Sequence, residues 1–167
     1  MLKYVNTMVT FSEVPDEISL CINISNCPCH CKNCHSSYLA EDIGEPLIYK
    51  DTHNNRTVIN CNPLSELIEA NKGITCVCIM GGDANPSKVD DIAQDIKEYY
   101  SKLKVAWYSG KQELSKDINL EFFDFIKLGP YIEELGPLNS KTTNQRFYKV
   151  NEKELIDITN LFWKSSD

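Results

Sequence analysis

The chain has 167 residues, a formal net charge of −7, 42% hydrophobic and 25% charged residues. That length carries one domain with a sizeable core, and the acidic balance argues against nucleic-acid binding, which needs clustered Lys and Arg. The N-terminus shows no basic segment followed by an apolar run, and no apolar stretch reaches membrane-span length, so the expectation is a cytoplasmic protein with reduced thiols.

In chain order, Leu2–Phe11 predicts an opening strand. Ile18, Leu20, Ile22 and Ile24 alternate and predict a second, running into Cys27-Pro-Cys-His-Cys-Lys-Asn-Cys34. Residues 41–60 are mainly turn material around His53-Asn54-Asn55, a surface segment, with a short strand at Thr57–Ile59. Asn62-Pro63 reads as a cap and first helical position, Leu64, Leu67 and Ile68 as the apolar face, and Gly73 as the stop. Ile74–Met80 is a continuous apolar run, the signature of a strand covered on both faces. After Gly81-Gly82-Asp83, Asn85-Pro86 opens a helix to about Lys102 with Val89, Ile92, Ala93 and Ile96 on one side.

Val105–Tyr108 predicts a strand turned by Ser109-Gly110, and Lys111–Ser115 a weak helix. Phe122–Leu128 predicts another strand, ending at Gly129-Pro130. Tyr131–Arg146 reads as loop, Phe147–Val150 as a last strand, and Glu152–Phe162 as a closing helix with Leu155, Ile158 and Leu161 inward. This alternation predicts an α/β fold with a mainly parallel sheet, one domain over residues 1–167. In such a sheet the cysteine loop, Gly81-Gly82-Asp83, Ser109-Gly110 and Gly129-Pro130 share the edge where ligands bind.

Four of the eight cysteines fall within Cys27–Cys34. Read as Cys27, Cys31 and Cys34, their spacing suits a soft metal or an iron–sulfur cluster better than a disulfide. A structural zinc wants a fourth ligand, and Cys29, His30 or His35 is available; three thiolates on a [4Fe–4S] cluster would leave one iron open. Cys21, Cys76 and Cys78 in strands, and Cys61 before a helix cap, read as core or incidental thiols. Asp83 alone reads as a carboxylate at a helix N-terminus, and Trp107 as an ordinary strand residue. Lys141, Arg146 and Lys149 make a local positive patch, read as a solvated face.

The three-cysteine spacing after a strand, with Gly81-Gly82-Asp83 after the next, resembles the radical S-adenosylmethionine superfamily. Trp107-Tyr108-Ser109-Gly110 and Thr142-Thr143-Asn144-Gln145-Arg146 narrow the resemblance to the activating proteins of anaerobic (class III) ribonucleotide reductase. It spans about Phe11 to Tyr148. The resemblance implies an open, partial parallel β/α barrel. It implies a [4Fe–4S] cluster on Cys27, Cys31 and Cys34, with S-adenosylmethionine on the open iron. Gly81 and Gly82 would let backbone approach that ligand, Asp83 would hold its ammonium, and Asn33 and His35 would lie along the adenosine. Tyr108, Ser109 and Lys127 would line the site further, with no general acid or base required. The implied reaction cleaves S-adenosylmethionine reductively to a 5′-deoxyadenosyl radical, which makes a glycyl radical on the reductase. Reduced flavodoxin or ferredoxin would supply the electron, and the polar loop Lys141–Arg146 would contact the reductase. The chain departs from the family pattern at Cys29, at Asn33, and at Ala84-Asn85 before Pro86. Two other readings stand beside this one: a different small radical enzyme, acting on another glycyl-radical partner or forming a deazapurine, and a zinc-stabilised binding module without enzymatic activity.

Overall fold

The structure, a computed structural model, describes residues 1–48 and 62–163. Its strands are β1 (Lys3–Thr10), β2 (Ser19–Ile24), β3 (Glu45–Pro46), β4 (Cys76–Met80), β5 (Lys104–Tyr108), β6 (Phe125–Leu128), β7 (Arg146–Asn151) and β8 (Glu154–Asp157). Two α-helices accompany them among the described residues, α1 (Pro63–Ala70) and α2 (Pro86–Tyr99). The strands form one sheet in the order β3-β1-β2-β4-β5-β6-β7-β8.

Pairing is parallel from β2 through β4 and β5 to β6, and antiparallel at β1–β2, β1–β3, β6–β7 and β7–β8. This corrects the expected partial β/α barrel. The fold is one mixed sheet, mostly strand, with β3 and β8 as its two edge strands among the described residues. The connections explain why. The β1–β2 link is too short for a crossover, so β1 returns antiparallel. Between β6 and β7 the chain makes only a single 3-10 turn at Glu133–Leu135, with Gly136-Pro137 following.

The closing helix expected over Glu152–Phe162 is also overturned. Glu152 and Lys153 take φ of 49° and 66°, the left-handed pair that closes a two-residue hairpin, so Glu154–Asp157 pairs with β7. Only Thr159–Phe162 curls, as a 3-10 turn. Lys111–Ser115 is not helical, and β6 starts after a 3-10 turn at Leu120–Phe122. The expected strand Thr57–Ile59, His53 and Cys61 lie outside the described residues.

Alternation sorts the core into two layers. Leu20, Ile22, Val77, Ile79, Val105 and Trp107 face the helices, where Leu64, Ile68, Val89, Ile92 and Ile96 pack on them. The opposite face buries Cys21, Cys76, Cys78, Ala106, Phe125 and Phe147 against Val14. The strand cysteines are core thiols, as their positions predict, and burial pushes the Cys76 thiol up to about 12. Among the described residues no helix is long and apolar enough to cross a membrane.

Both Asn-Pro signals open helices, by different means. The Asn62 side chain accepts the Ser65 amide at 3.2 Å, whereas Asn85 makes no side-chain capping bond. Asn62→Ala is therefore expected to destabilise the chain by about 1 kcal/mol in urea unfolding, while Asn85→Ala costs clearly less. Equal losses would contradict this assignment.

Candidate functional site

The parallel run β2-β4-β5-β6 sends four carboxyl ends to one edge of the sheet. Backbone bonds continue there beyond the strands: Gly81 N–H to Tyr108 O at 3.0 Å, Ser109 N–H to Lys127 O at 2.9 Å, and Gly129 N–H to Lys111 O at 2.7 Å. The structure thus brings together the cysteine loop and the three loops that follow β4, β5 and β6.

The cysteine loop is pinned at its start by Asn26 N–H to Glu41 O and Cys27 N–H to Leu39 O. It turns through positive φ at Asn26, His30 and Asn33. Asparagine tolerates that conformation more readily than most residues. Cys27, Cys31 and Cys34, with His30, Ser36 and Ser37, line a hollow of about 220 Å³. All three cysteines are free thiols and half-buried.

The candidates for a fourth metal ligand separate. His30 lines the hollow. The His35 ring is tilted against Tyr131, with centroids 6.2 Å apart. Cys29 does not line the hollow: its thiol donates to Asp83 Oδ2 at 3.7 Å and also lies within hydrogen-bond reach of the Cys27 side chain. Burial first, then the Asp83 carboxylate and Cys27, push the Cys29 thiol up to about 12, so it stays a protonated donor.

Asp83 is only 8% exposed. Its Oδ1 accepts the Ser109 hydroxyl at 2.5 Å and its Oδ2 the Gly110 amide at 2.8 Å. The carboxylate expected to hold an ammonium group is thus engaged by the protein itself, tying the β4 loop to the β5 loop. Gly81 and Gly82 have backbone reasons to be glycine, with φ of 103° and 93°. A β-carbon on Gly82 would stand 2.5 Å from Val89 Cγ2, so this residue lets α2 close on the sheet.

Lys127 is 7% exposed and donates to Gly129 O at 2.6 Å and Ser109 O at 3.3 Å. Burial pushes its ammonium down to about 8, against the opposing pull of Asp83 and of the Cys31, Cys29 and Cys34 thiols. Tyr108 donates its hydroxyl to Glu13 O, and burial raises that group well above the usual phenol range. Asn33 donates to Glu133 Oε2 at 2.7 Å, joining the cysteine loop to the segment after β6. In the Asn-Gln-Arg segment Asn144 reaches the residues just after β6, while Arg146 bonds within its own segment. Asn144 donates to Pro130 O, and Arg146 Nη1 to Thr143 O and Gln145 O.

Sequence reasoning missed three links. Trp107 is core as expected, but its Nε1 also holds Gly81 O at 2.8 Å. The Cys29–Asp83 contact and the Asn33–Glu133 bond join residues 54 and 100 positions apart, with no local signal.

Among the described residues no three His, Cys, Asp or Glu side chains are drawn together tightly enough to hold one metal ion. A tetrahedral zinc, with bonds of about 2.3 Å to sulfur, needs that convergence. A multi-iron cluster takes each thiolate on a different iron, so its ligands stand around a hollow instead. Three soft donors lining one concavity fit the second arrangement in the chemistry of the donor set. The chain matches no protein-family model, no curated protein and no solved structure.

The buried lysine carries a pH signature in the metal-free chain. An ordinary lysine holds its proton to 10.5, whereas folded Lys127 releases it near about 8. Between those values the unfolded chain binds more protons, so stability rises as pH climbs through the window. Relative to Lys127→Met, wild type should gain up to about 3 kcal/mol in urea unfolding across that window. A pH-independent difference would contradict the burial assigned to this ammonium.

Proposed function

We propose that the hollow holds a [4Fe–4S] cluster through Cys27, Cys31 and Cys34, and that the protein cleaves S-adenosylmethionine reductively there to activate a glycyl-radical enzyme. One observation carries this reading: three free thiols and, among the described residues, no fourth cysteine line one hollow in the loop that leaves β2 at the carboxyl edge it shares with β4, β5 and β6. When bound, such a cluster supplies one electron and an open iron, breaking the sulfonium C–S bond to methionine and a 5′-deoxyadenosyl radical. The radical's target is a glycine of an anaerobic ribonucleotide reductase, with reduced flavodoxin or ferredoxin as the electron source.

The chain's own residues do four things in this reading. Cys27, Cys31 and Cys34 present soft donors and leave one position open. Asp83, Ser109 and Gly110 fix the adjoining loops to each other before any ligand arrives. Lys127 places a buried positive charge within range of the thiols, offsetting the negative charge they gather when ligating. Asn33 and His35, flanking Cys34, reach the segment after β6 and bound the site on that side. The reading rests on this edge of the sheet and its donors, not on a barrel.

A second reading, a zinc module with His30 of the same hollow as the fourth ligand, would need these four donors to draw together from where they stand. Metal analysis of anaerobically purified protein separates the two. The first predicts about four irons and four sulfides per chain, abolished in Cys31→Ala, and formation of 5′-deoxyadenosine with S-adenosylmethionine and dithionite. With an anaerobic ribonucleotide reductase added, a glycyl radical should appear by electron paramagnetic resonance; its absence, with cleavage intact, assigns another target. One zinc without sulfide overturns the enzymatic reading.

A further inference from the structure

Cys29 has no place among the ligands, yet its position is specific. A β-carbon at position 110 would stand 2.6 Å from Cys29 Sγ and 3.2 Å from Cys29 Cβ, so glycine there opens the notch this side chain fills. The thiol reaches Asp83 Oδ2, the same oxygen that accepts the Gly110 amide. Asp83 is itself fixed by the Ser109 hydroxyl. Immediately after Cys29 the backbone takes a positive φ, 45°, at His30, and Cys31 then lines the hollow with Cys27. A non-glycine residue in that conformation costs energy and persists where its surroundings hold it.

We propose that Cys29 is a positioning residue: it latches the cysteine loop into the Gly110 notch against Asp83, so that Cys27 and Cys31 face the hollow together. Residues at alternate positions of an extended chain would share one side. The latch takes the middle cysteine out of the donor set and anchors the left-handed step at His30 that leads into Cys31. The placement rests on packing and hydrogen bonding alone; its consequence for iron rests on the function proposed above.

Two readouts on the full chain test it. The first is hydrogen exchange of the amides of residues 27–34 in metal-free protein. The second is the rate of iron loss to a chelator after anaerobic reconstitution. Cys29→Ala should speed both, with iron loss roughly tenfold faster, the usual scale for a group that holds a metal ligand in place. Gly110→Ala should do the same by filling the notch, and should add little once Cys29 is alanine. Cys29→Ser keeps a donor for Asp83 and should recover part of the loss. The latch is overturned if Cys29→Ala and Gly110→Ala both exchange like wild type, or if their effects simply add. Failure of the wild-type chain to take up iron sinks the proposed function instead, and the exchange data then decide the latch alone.

Discussion

Everything at the candidate site depends on one short stretch of parallel pairing. β2, β4, β5 and β6 run the same way, so the cysteine loop, the Gly-Gly-Asp turn, Ser109-Gly110 and Gly129 leave the sheet at a common edge. An antiparallel β4 would send its loop to the far edge. The strands are cemented by a core on both faces, helix-backed on one and cysteine- and phenylalanine-lined on the other. Antiparallel strands at both flanks finish the sheet without closing it.

On that edge the buried charges are arranged to hold loops together. A buried carboxylate is costly unless its lone pairs are satisfied. Asp83 meets that requirement with the Ser109 hydroxyl, the Gly110 amide and the Cys29 thiol, groups from two other loops. Lys127 meets it with the carbonyls of Ser109 and Gly129. Ser109 therefore contacts both charged groups, one through its hydroxyl and one through its carbonyl. In the latch proposed above, this network holds Cys29 beside the hollow that Cys27, Cys31 and Cys34 line.

Much of this was legible in the sequence where the signal is local. Period-two alternation located β2, continuous apolar runs located β4, and Asn-Pro pairs located both helix starts. Strand direction is not encoded in periodicity, which is why a mainly parallel barrel was expected and a mixed sheet found. The β7–β8 hairpin escaped because its turn residues are Glu152 and Lys153, not the glycine or asparagine that usually mark positive φ. At the site, cysteine spacing singled out Cys27, Cys31 and Cys34, which line one hollow. The partners of Asp83 and Asn33 lie 26 and 100 residues away, so only the fold could name them. Gly81 and Gly82 were read as room for a ligand, whereas Gly82 makes room for Val89; Gly110, read as a turn, makes room for Cys29.

The central claim is that three thiolates hold a multi-iron cluster with one iron left for a small ligand. Mössbauer spectroscopy of the iron-57-reconstituted chain, before and after S-adenosylmethionine, tests it most directly. The account predicts a cluster spectrum in which one iron of about four shifts its parameters on addition of the ligand while the others stay put. Iron that gives no cluster spectrum, or a cluster whose irons are all indifferent to the ligand, would contradict it.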